Sequence, residues 1–111
     1  MKIGFIAMSG LRLCKPELLE LGLSFPSVAT RARQIEALPS LGLLTLAGMT
    51  PEPIETEYLE VRDVDRCDLP LRFDAVALST LAATAKEAYR LAARFREAGI
   101  PVILGGLHAT L

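Results

Sequence analysis

Two short stretches of the sequence carry the residue types that bind ligands, and each follows an apolar run of strand length. The first is Ser79-Thr80-Leu81, after residues 75–78; the second is Gly105-Gly106-Leu107-His108, after residues 102–104. Hydroxyl groups hydrogen-bond ligands, an imidazole can donate, accept or coordinate, and paired glycines leave room for a bulky group beside the backbone. Open parallel sheets bind ligands where their strands end, so these stretches are candidate binding residues.

Simpler explanations exist for each of these residue types. A glycine pair after a strand is most often a turn, hydroxyl residues can lead into the next helix, and a single loop histidine is usually a surface residue. The chain has no Gly-x-Gly-x-x-Gly fingerprint and no phosphate-binding Gly-Lys-Ser/Thr loop, so ordinary nucleotide binding is weakly supported. No His, Cys and carboxylate cluster has zinc spacing, and with His108 as the only histidine no nucleophile–base pair is apparent.

The elements around these stretches alternate between strand and helix. Apolar runs predict strands over residues 2–8, 54–61, 75–78 and 102–104. This alternation predicts an α/β fold with a doubly wound parallel sheet and right-handed crossovers, within a single domain spanning residues 1–111. All strand exits then lie on one rim, which adds Ser9 and Gly10 after the first strand and Asp63 and Asp65 after the second.

Two helices are predicted from their end signals. Residues 39–49 form an apolar helix with Ser40 as its cap and prolines beyond its end, expected to be buried, with its glycines close to the strands. The second helix begins with a capping box of Thr84 and Glu87 and ends before Gly99. Its expected apolar stripe consists of Ala85, Ala88, Tyr89, Ala92 and Phe95.

The passage over residues 11–38 is long and mixed in charge. Two short helices fit it, at residues 17–21 and 28–38. Such an excursion is typical of a lid or binding loop, although a surface insertion that covers an edge explains it equally well.

Composition excludes several classes of protein. Hydrophobic residues make up 51% of the chain and its net charge is −1, so nothing favours nucleic acid or an anionic membrane as a partner. No stretch resembles a signal peptide or a membrane span, and we expect a cytoplasmic protein. The spacing of Cys14 and Cys67 suits neither zinc nor redox chemistry, and free buried thiols are favoured over a disulfide.

The last predicted strand is entirely apolar, and only residues 105–111 follow it. A doubly wound sheet normally continues with another helix and strand, so we expect the sequence to be a fragment of a larger protein. If the chain exists alone, the exposed fourth strand predicts a dimer or aggregation through that edge.

Three segments together resemble a known family: residues 39–47, residues 74–79 and residues 105–110. They are similar to the N-terminal cobalamin-binding domain of radical S-adenosylmethionine enzymes, and the resemblance extends over residues 1–111. It implies a flavodoxin-like Rossmann fold. It also implies a C-terminal partner domain, a barrel with a Cys-x-x-x-Cys-x-x-Cys iron–sulfur motif that is absent here. S-adenosylmethionine and a 4Fe–4S cluster would belong to that remainder, so this chain is not catalytic alone.

The broader cobalamin pattern is Asp-x-His-x-x-Gly, then Ser-x-Leu, then Gly-Gly. Ser79-Thr80-Leu81 and Gly105-Gly106 match the last two elements, which implies that Ser79 contacts the nucleotide tail of the cofactor and the glycines admit it, with Thr84 adding a hydroxyl nearby. The stretch at residues 63–68 departs from the first element, because Asp65 stands in place of the cobalt-ligating histidine and Asp68 in place of the glycine. The resemblance therefore implies base-off cobalamin without a protein histidine ligand. His108 follows a different strand from the family's histidine, which favours a loop-ordering hydrogen bond for it over a role as a substitute cobalt ligand.

Three hypotheses follow. The first is a cobalamin-binding module of a radical enzyme that transfers methyl groups or performs related radical chemistry. The second is a degenerate domain of the same fold that binds no cofactor and shapes the substrate entrance of its partner domain. The third is a free-standing flavin or nucleotide binder with phosphate near Ser9 and Gly10.

Overall fold

The computed structural model describes residues 1–8 and 39–110. Four strands form one parallel sheet in the order β2-β1-β3-β4. They are β1 (Lys2–Met8), β2 (Glu55–Val61), β3 (Ala75–Ser79) and β4 (Val102–Gly105). The predicted α/β fold is confirmed, and the strand order is that of a flavodoxin-like arrangement. The predictions for Ser9, Gly10, Cys14 and the helices at residues 17–21 and 28–38 lie outside the described residues.

Two helices pack on opposite faces of this sheet. Helix α1 (Leu41–Met49) contacts β1 and β2, and its Leu43 packs with Phe5 of β1 and Ala77 of β3. Helix α2 (Ala85–Glu97) contacts β3 and β4 on the other face, where the larger cluster lies. The fully buried side chains of that cluster are Ile6, Val76, Leu78, Leu91 and Phe95. Strands with apolar residues on both faces need this two-sided cover.

Helix α2 follows its predicted span, but its buried stripe differs at one position. Ala88, Leu91, Ala92 and Phe95 are buried, whereas Tyr89 is 51% exposed. Leu91 belongs to the stripe because offsets of three, four and seven residues from Ala88 share one helical face, while Tyr89 lies about 100° away from Ala88. The expected inclusion of Tyr89 in the core was therefore wrong.

Helix α2 follows the sequence prediction at its C-terminal end but not at its N-terminal end. Gly99 adopts a φ of +78°, its N–H donates to the Arg96 carbonyl, and the Ile100 N–H donates to the Phe95 carbonyl. This pair of bonds is a Schellman motif, and the helix ends before Gly99 as predicted. At the other end Thr84 is the N-cap residue, but its side chain makes no cap hydrogen bond, so the predicted capping box is wrong.

Helix α1 ends before the two prolines as predicted, yet it is much less buried than expected. Leu43 is its one buried residue, and Leu41 and Met49 are each 74% exposed. A Cβ on Gly42 or Gly48 would meet no atom of the described residues within 4 Å, strands included, so the predicted close approach to strands is wrong. An apolar helix with no periodic polar face gives no signal of which side packs on the sheet. Ser40 is the N-cap without a side-chain bond; its N–H donates to the Tyr58 hydroxyl at 2.8 Å.

The two edges of the sheet differ in character. Strand β2 is an edge strand as predicted, and Glu55 and Glu60 on it are exposed. Strand β4 is the other edge of the described sheet, and its Ile103 is 61% exposed. Among the described residues, no helix is long and apolar enough to cross a membrane.

The amino-terminal half of the sheet is held by an aromatic ring and an ion pair. A Cβ on Gly4 would lie 2.7 Å from the Phe73 ring, so the glycine makes room for that buried side chain. Lys2 binds Glu57 at 2.8 Å, and this bond, with help from Arg72, lowers the pKa of Glu57. On the other face, burial raises the pKa of Tyr58, whose hydroxyl donates to Glu60 at 3.1 Å.

Candidate functional site

A groove of about 440 Å³ opens on the α1 face of the sheet, between α1 and the carboxyl ends of β3 and β4. Its floor consists of side-by-side pairs from the two strands, Ala77 with Ile103 and Ser79 with Gly105. The remaining lining residues are Gly42, Leu43, Thr45, Leu46, Leu78 and Gly106. The groove is therefore mostly apolar, with hydroxyl groups from Ser79 and Thr45.

The winding of the chain explains why a groove exists at this place. From β1 the chain adds β2 on one side of that strand, and it later adds β3 and then β4 on the other side. The order in which strands are added therefore reverses between β1 and β3. Helix α1 covers β1 and β2, while α2 covers β3 and β4 from the opposite face. On the α1 face, no described helix lies over β3 and β4. Crevices next to such a switch point are where doubly wound sheets bind ligands.

Ser79 and Gly105 are adjacent in this floor and both open into the groove. The Ser79 side chain is half-buried, and its hydroxyl makes no hydrogen bond to another described residue. Among the described residues, a Cβ on Gly105 would meet a single atom, the Leu78 carbonyl oxygen at 3.9 Å. The missing side chain at Gly105 therefore enlarges the groove and relieves no close contact with this part of the chain.

Gly106 has a different reason to be glycine. Its φ is +95°, and a Cβ there would lie 2.6 Å from the Thr80 carbonyl oxygen and 2.9 Å from the Thr80 nitrogen. The turn after β4 thus passes directly against the turn after β3. The glycine pair that the sequence presents as one motif contains one residue that shapes the groove and one that allows this crossing.

The hydroxyls of Thr80 and Thr84 face the protein interior. These threonines are 2% and 8% exposed, and their hydroxyl oxygens lie 3.1 Å apart. Both oxygens also lie near the Leu81 carbonyl, at 3.0 and 3.3 Å, and the Leu81 N–H donates to Thr84. This arrangement fixes the start of the 3₁₀ turn (Ala82–Thr84) that leads into α2. Neither hydroxyl lines the groove.

A second cleft, of about 570 Å³, lies at the top of the sheet. It is lined by Leu81, Ala82, Ala83, Leu107 and His108, the last two from the one-turn helix α3 (Leu107–Thr110). The His108 Nε2 is 3.1 Å from the Tyr89 hydroxyl, and the two rings meet edge to face. The apolar composition around Tyr89 had placed it in the core, and no sequence signal linked it to His108.

Asp63 and Asp65 lie at the exit of β2 and line neither cleft. Asp65 forms a salt bridge with Arg90 of α2, and its N–H donates to the Asp63 carboxylate at 2.9 Å. Arg94 binds the Val64 carbonyl, and Val64 is buried in the cluster under α2. The loop is thus packed onto α2, and β1 separates it from β3. Cys67, half-buried and free, belongs to this loop.

Across the described residues, no group of three or more His, Cys, Asp or Glu side chains could hold a metal ion. No protein-family model, curated protein or solved structure matches the chain.

Proposed function

We propose that this domain binds cobalamin, with the nucleotide tail of the cofactor in the groove between α1 and the ends of β3 and β4. The observation that carries the proposal is the pairing of Ser79 with Gly105 in the floor of that groove, beside the switch point of the sheet. The resemblance to the cobalamin-binding domain of radical S-adenosylmethionine enzymes assigns the tail to Ser79 and the two glycines, Gly105 and Gly106.

The dimensions and chemistry of the groove support this ligand class. Its volume of about 440 Å³ lies within the roughly 300–1,000 Å³ that small-molecule sites occupy. Leu43, Leu46 and Ala77 offer apolar contact to a flat heterocycle. The Ser79 hydroxyl, which has no described partner, can hydrogen-bond a polar atom of the tail.

The cofactor would be held without a cobalt ligand from the described residues. His108 is engaged through Nε2 with Tyr89, and Asp65, at the position of the family's ligating histidine, is paired with Arg90. The groove beside Ser79 and Gly105, which could take a tail dissociated from the metal, supports the base-off form. When bound, cobalamin supplies methyl-transfer or related radical chemistry to a whole protein that carries the radical S-adenosylmethionine barrel.

The second candidate function is a degenerate domain with a structural role and no cofactor. The packing of the loop over residues 63–68 favours it, because Asp65 and Val64 serve the contact with α2. This candidate predicts a stable fold that retains no corrinoid.

An absorption spectrum distinguishes the two candidates. The purified chain is incubated with hydroxocobalamin and desalted, and we expect corrinoid bands to remain with the protein. Gly105→Trp should abolish retention, because the indole would occupy the groove while its Cβ meets only the Leu78 carbonyl at 3.9 Å. In His108→Ala the spectrum of the retained corrinoid should be unchanged.

Gly48→Trp is the matched control, since Gly48 is exposed on α1, its Cβ would meet no described atom within 4 Å, and it does not line the groove. It should retain corrinoid as the unaltered chain does. Absence of corrinoid bands from the folded, unaltered chain would reject the proposal, as would equal retention by Gly105→Trp.

A further inference from the structure

Helix α1 forms one side of the groove, and a missing side chain shapes that side as Gly105 shapes the floor. The helix contributes Gly42, Leu43, Thr45 and Leu46 to the lining. A Cβ on Gly42 would meet no described atom within 4 Å, so a larger residue there would fill the groove and displace nothing in this part of the chain. A glycine on the helix side and a glycine on the sheet side therefore both widen the groove.

Apolar side chains line the groove from both sides. Leu43 and Leu46 belong to α1, and Ala77 and Ile103 belong to the floor, where they pair across β3 and β4. A flat ring held between the helix and the floor makes apolar contact on both of its faces. Ligand sites of this composition use a small number of polar groups to orient what they bind.

Ser79 supplies the side-chain hydrogen bond that this lining offers to a ligand. Thr45 and Ser79 carry the hydroxyl groups among the described lining residues. The Thr45 hydroxyl donates to the Leu41 carbonyl at 2.8 Å, so its hydrogen is engaged within α1. The Ser79 hydroxyl makes no hydrogen bond to another described residue, and it can donate to a single acceptor atom of a ligand.

We propose that this groove selects the base at the end of the nucleotide tail, and that it prefers a benzimidazole to a purine. The inference rests on the proposed cobalamin function and adds the chemistry of the tail. A benzimidazole dissociated from cobalt has a single acceptor nitrogen on its ring, which the Ser79 hydroxyl can satisfy. Adenine has an exocyclic amino group and further ring nitrogens, which would be placed against Leu46, Ala77 and Ile103. Burial of polar atoms against apolar side chains is unfavourable when they find no hydrogen-bond partner.

Two corrinoids that differ only in this base test the inference on the unaltered chain. Cobalamin and its adenine counterpart are compared by anaerobic equilibrium dialysis with cobalt reduced to Co(I), a state in which neither base is bound to the metal. We expect the adenine corrinoid to have a dissociation constant at least about fivefold higher. Equal affinities, or tighter binding of the adenine corrinoid, would overturn the inference and leave the proposed function standing. Binding of neither corrinoid would reject the proposed function, and this inference with it.

An added amide on the helix side tests whether the lining sets this preference. Leu46 is 53% exposed, and Leu46→Gln gives the groove a new donor and acceptor. The ratio of the two dissociation constants should therefore fall at least about twofold in this variant. Leu41→Gln is the matched control, since Leu41 is 74% exposed on the same helix and does not line the groove. A ratio that stays unchanged in Leu46→Gln, or that falls equally in Leu41→Gln, would overturn the proposal.

Discussion

Two neighbouring glycines, Gly105 and Gly106, show how residues of one motif can serve different purposes. The sequence predicts that both follow a strand, because an apolar run stops there. It does not predict that Gly106 lies against the Thr80 backbone while Gly105 faces open space, since that difference depends on where the turn after β3 crosses the turn after β4. A pattern along one chain contains no information about such a crossing.

Alanine substitutions should separate the two glycines. We expect Gly106→Ala to lower the free energy of unfolding by about 1–3 kcal/mol, because its φ of +95° and its contact with the Thr80 carbonyl both disfavour a Cβ. Gly105→Ala should change stability by less than about 1 kcal/mol, since its Cβ fits without displacing an atom. Urea unfolding monitored by circular dichroism measures both. Equal losses would contradict the separate roles.

The same limit applies to polar side chains. Thr84 and Glu87 have capping-box spacing, but the Thr84 hydroxyl lies beside Thr80 and Leu81 because a 3₁₀ turn precedes the helix. His108 was predicted to order a loop through a hydrogen bond, and its described partner is Tyr89 at 3.1 Å. Residue types indicated which groups need partners, and the tertiary structure decided which partners they have.

At the scale of elements, α1 and α2 show when a helix can be read from sequence. The apolar residues of α2 recur at helical spacing between charged ones, and four of its five predicted core positions are buried. Helix α1 has no charged residue in its nine positions, so its extent was predictable but its packed side was not. The spacing of apolar residues predicts which face of a helix packs on the sheet, whereas a high content of apolar residues does not.

The glycines at the ends of the two helices should respond in opposite ways to alanine. Gly99→Ala should lower the free energy of unfolding by roughly 1–2 kcal/mol, because the left-handed conformation that ends α2 disfavours a Cβ. Gly48→Ala should raise it by about 0.5 kcal/mol, because Gly48 is helical and its Cβ has open space. Urea denaturation of both variants measures the sign of each change. A Gly99→Ala variant with a higher free energy of unfolding would contradict a left-handed conformation at the end of α2.

At the scale of the whole molecule, the sequence predicted the four strands, their parallel direction and the common rim, but not their order. Order decides which rim residues can share a ligand. The exits of β3 and β4 are neighbours because these two strands pair. The exit of β2 is separate from them because β1 lies between β2 and β3. The predicted site residues therefore lie in separate places. Ser79, Gly105 and Gly106 line the groove, and Leu81 and His108 line the second cleft. Thr80 and Thr84 are buried, and Asp63 and Asp65 lie in the loop after β2, where Asp65 binds Arg90 of α2.

This division gives a prediction that concerns the whole rim. We expect Asp65→Asn to retain corrinoid as well as the unaltered chain, because Asp65 faces Arg90 and not the groove. Its cost in stability should stay below about 1 kcal/mol, since both partners of this salt bridge are more than half exposed. Ser79→Ala, which removes one hydroxyl from the groove, should weaken retention measurably.

Titration with hydroxocobalamin, followed by absorbance after desalting, compares the two variants on equal amounts of folded protein. If Asp65→Asn released the corrinoid while Ser79→Ala held it, the ligand would lie over the exit of β2, and the groove would not be its site. If both variants behave as expected, corrinoid retention depends on the pair of strands beside the switch point. The loop over residues 63–68 would then serve the packing of α2.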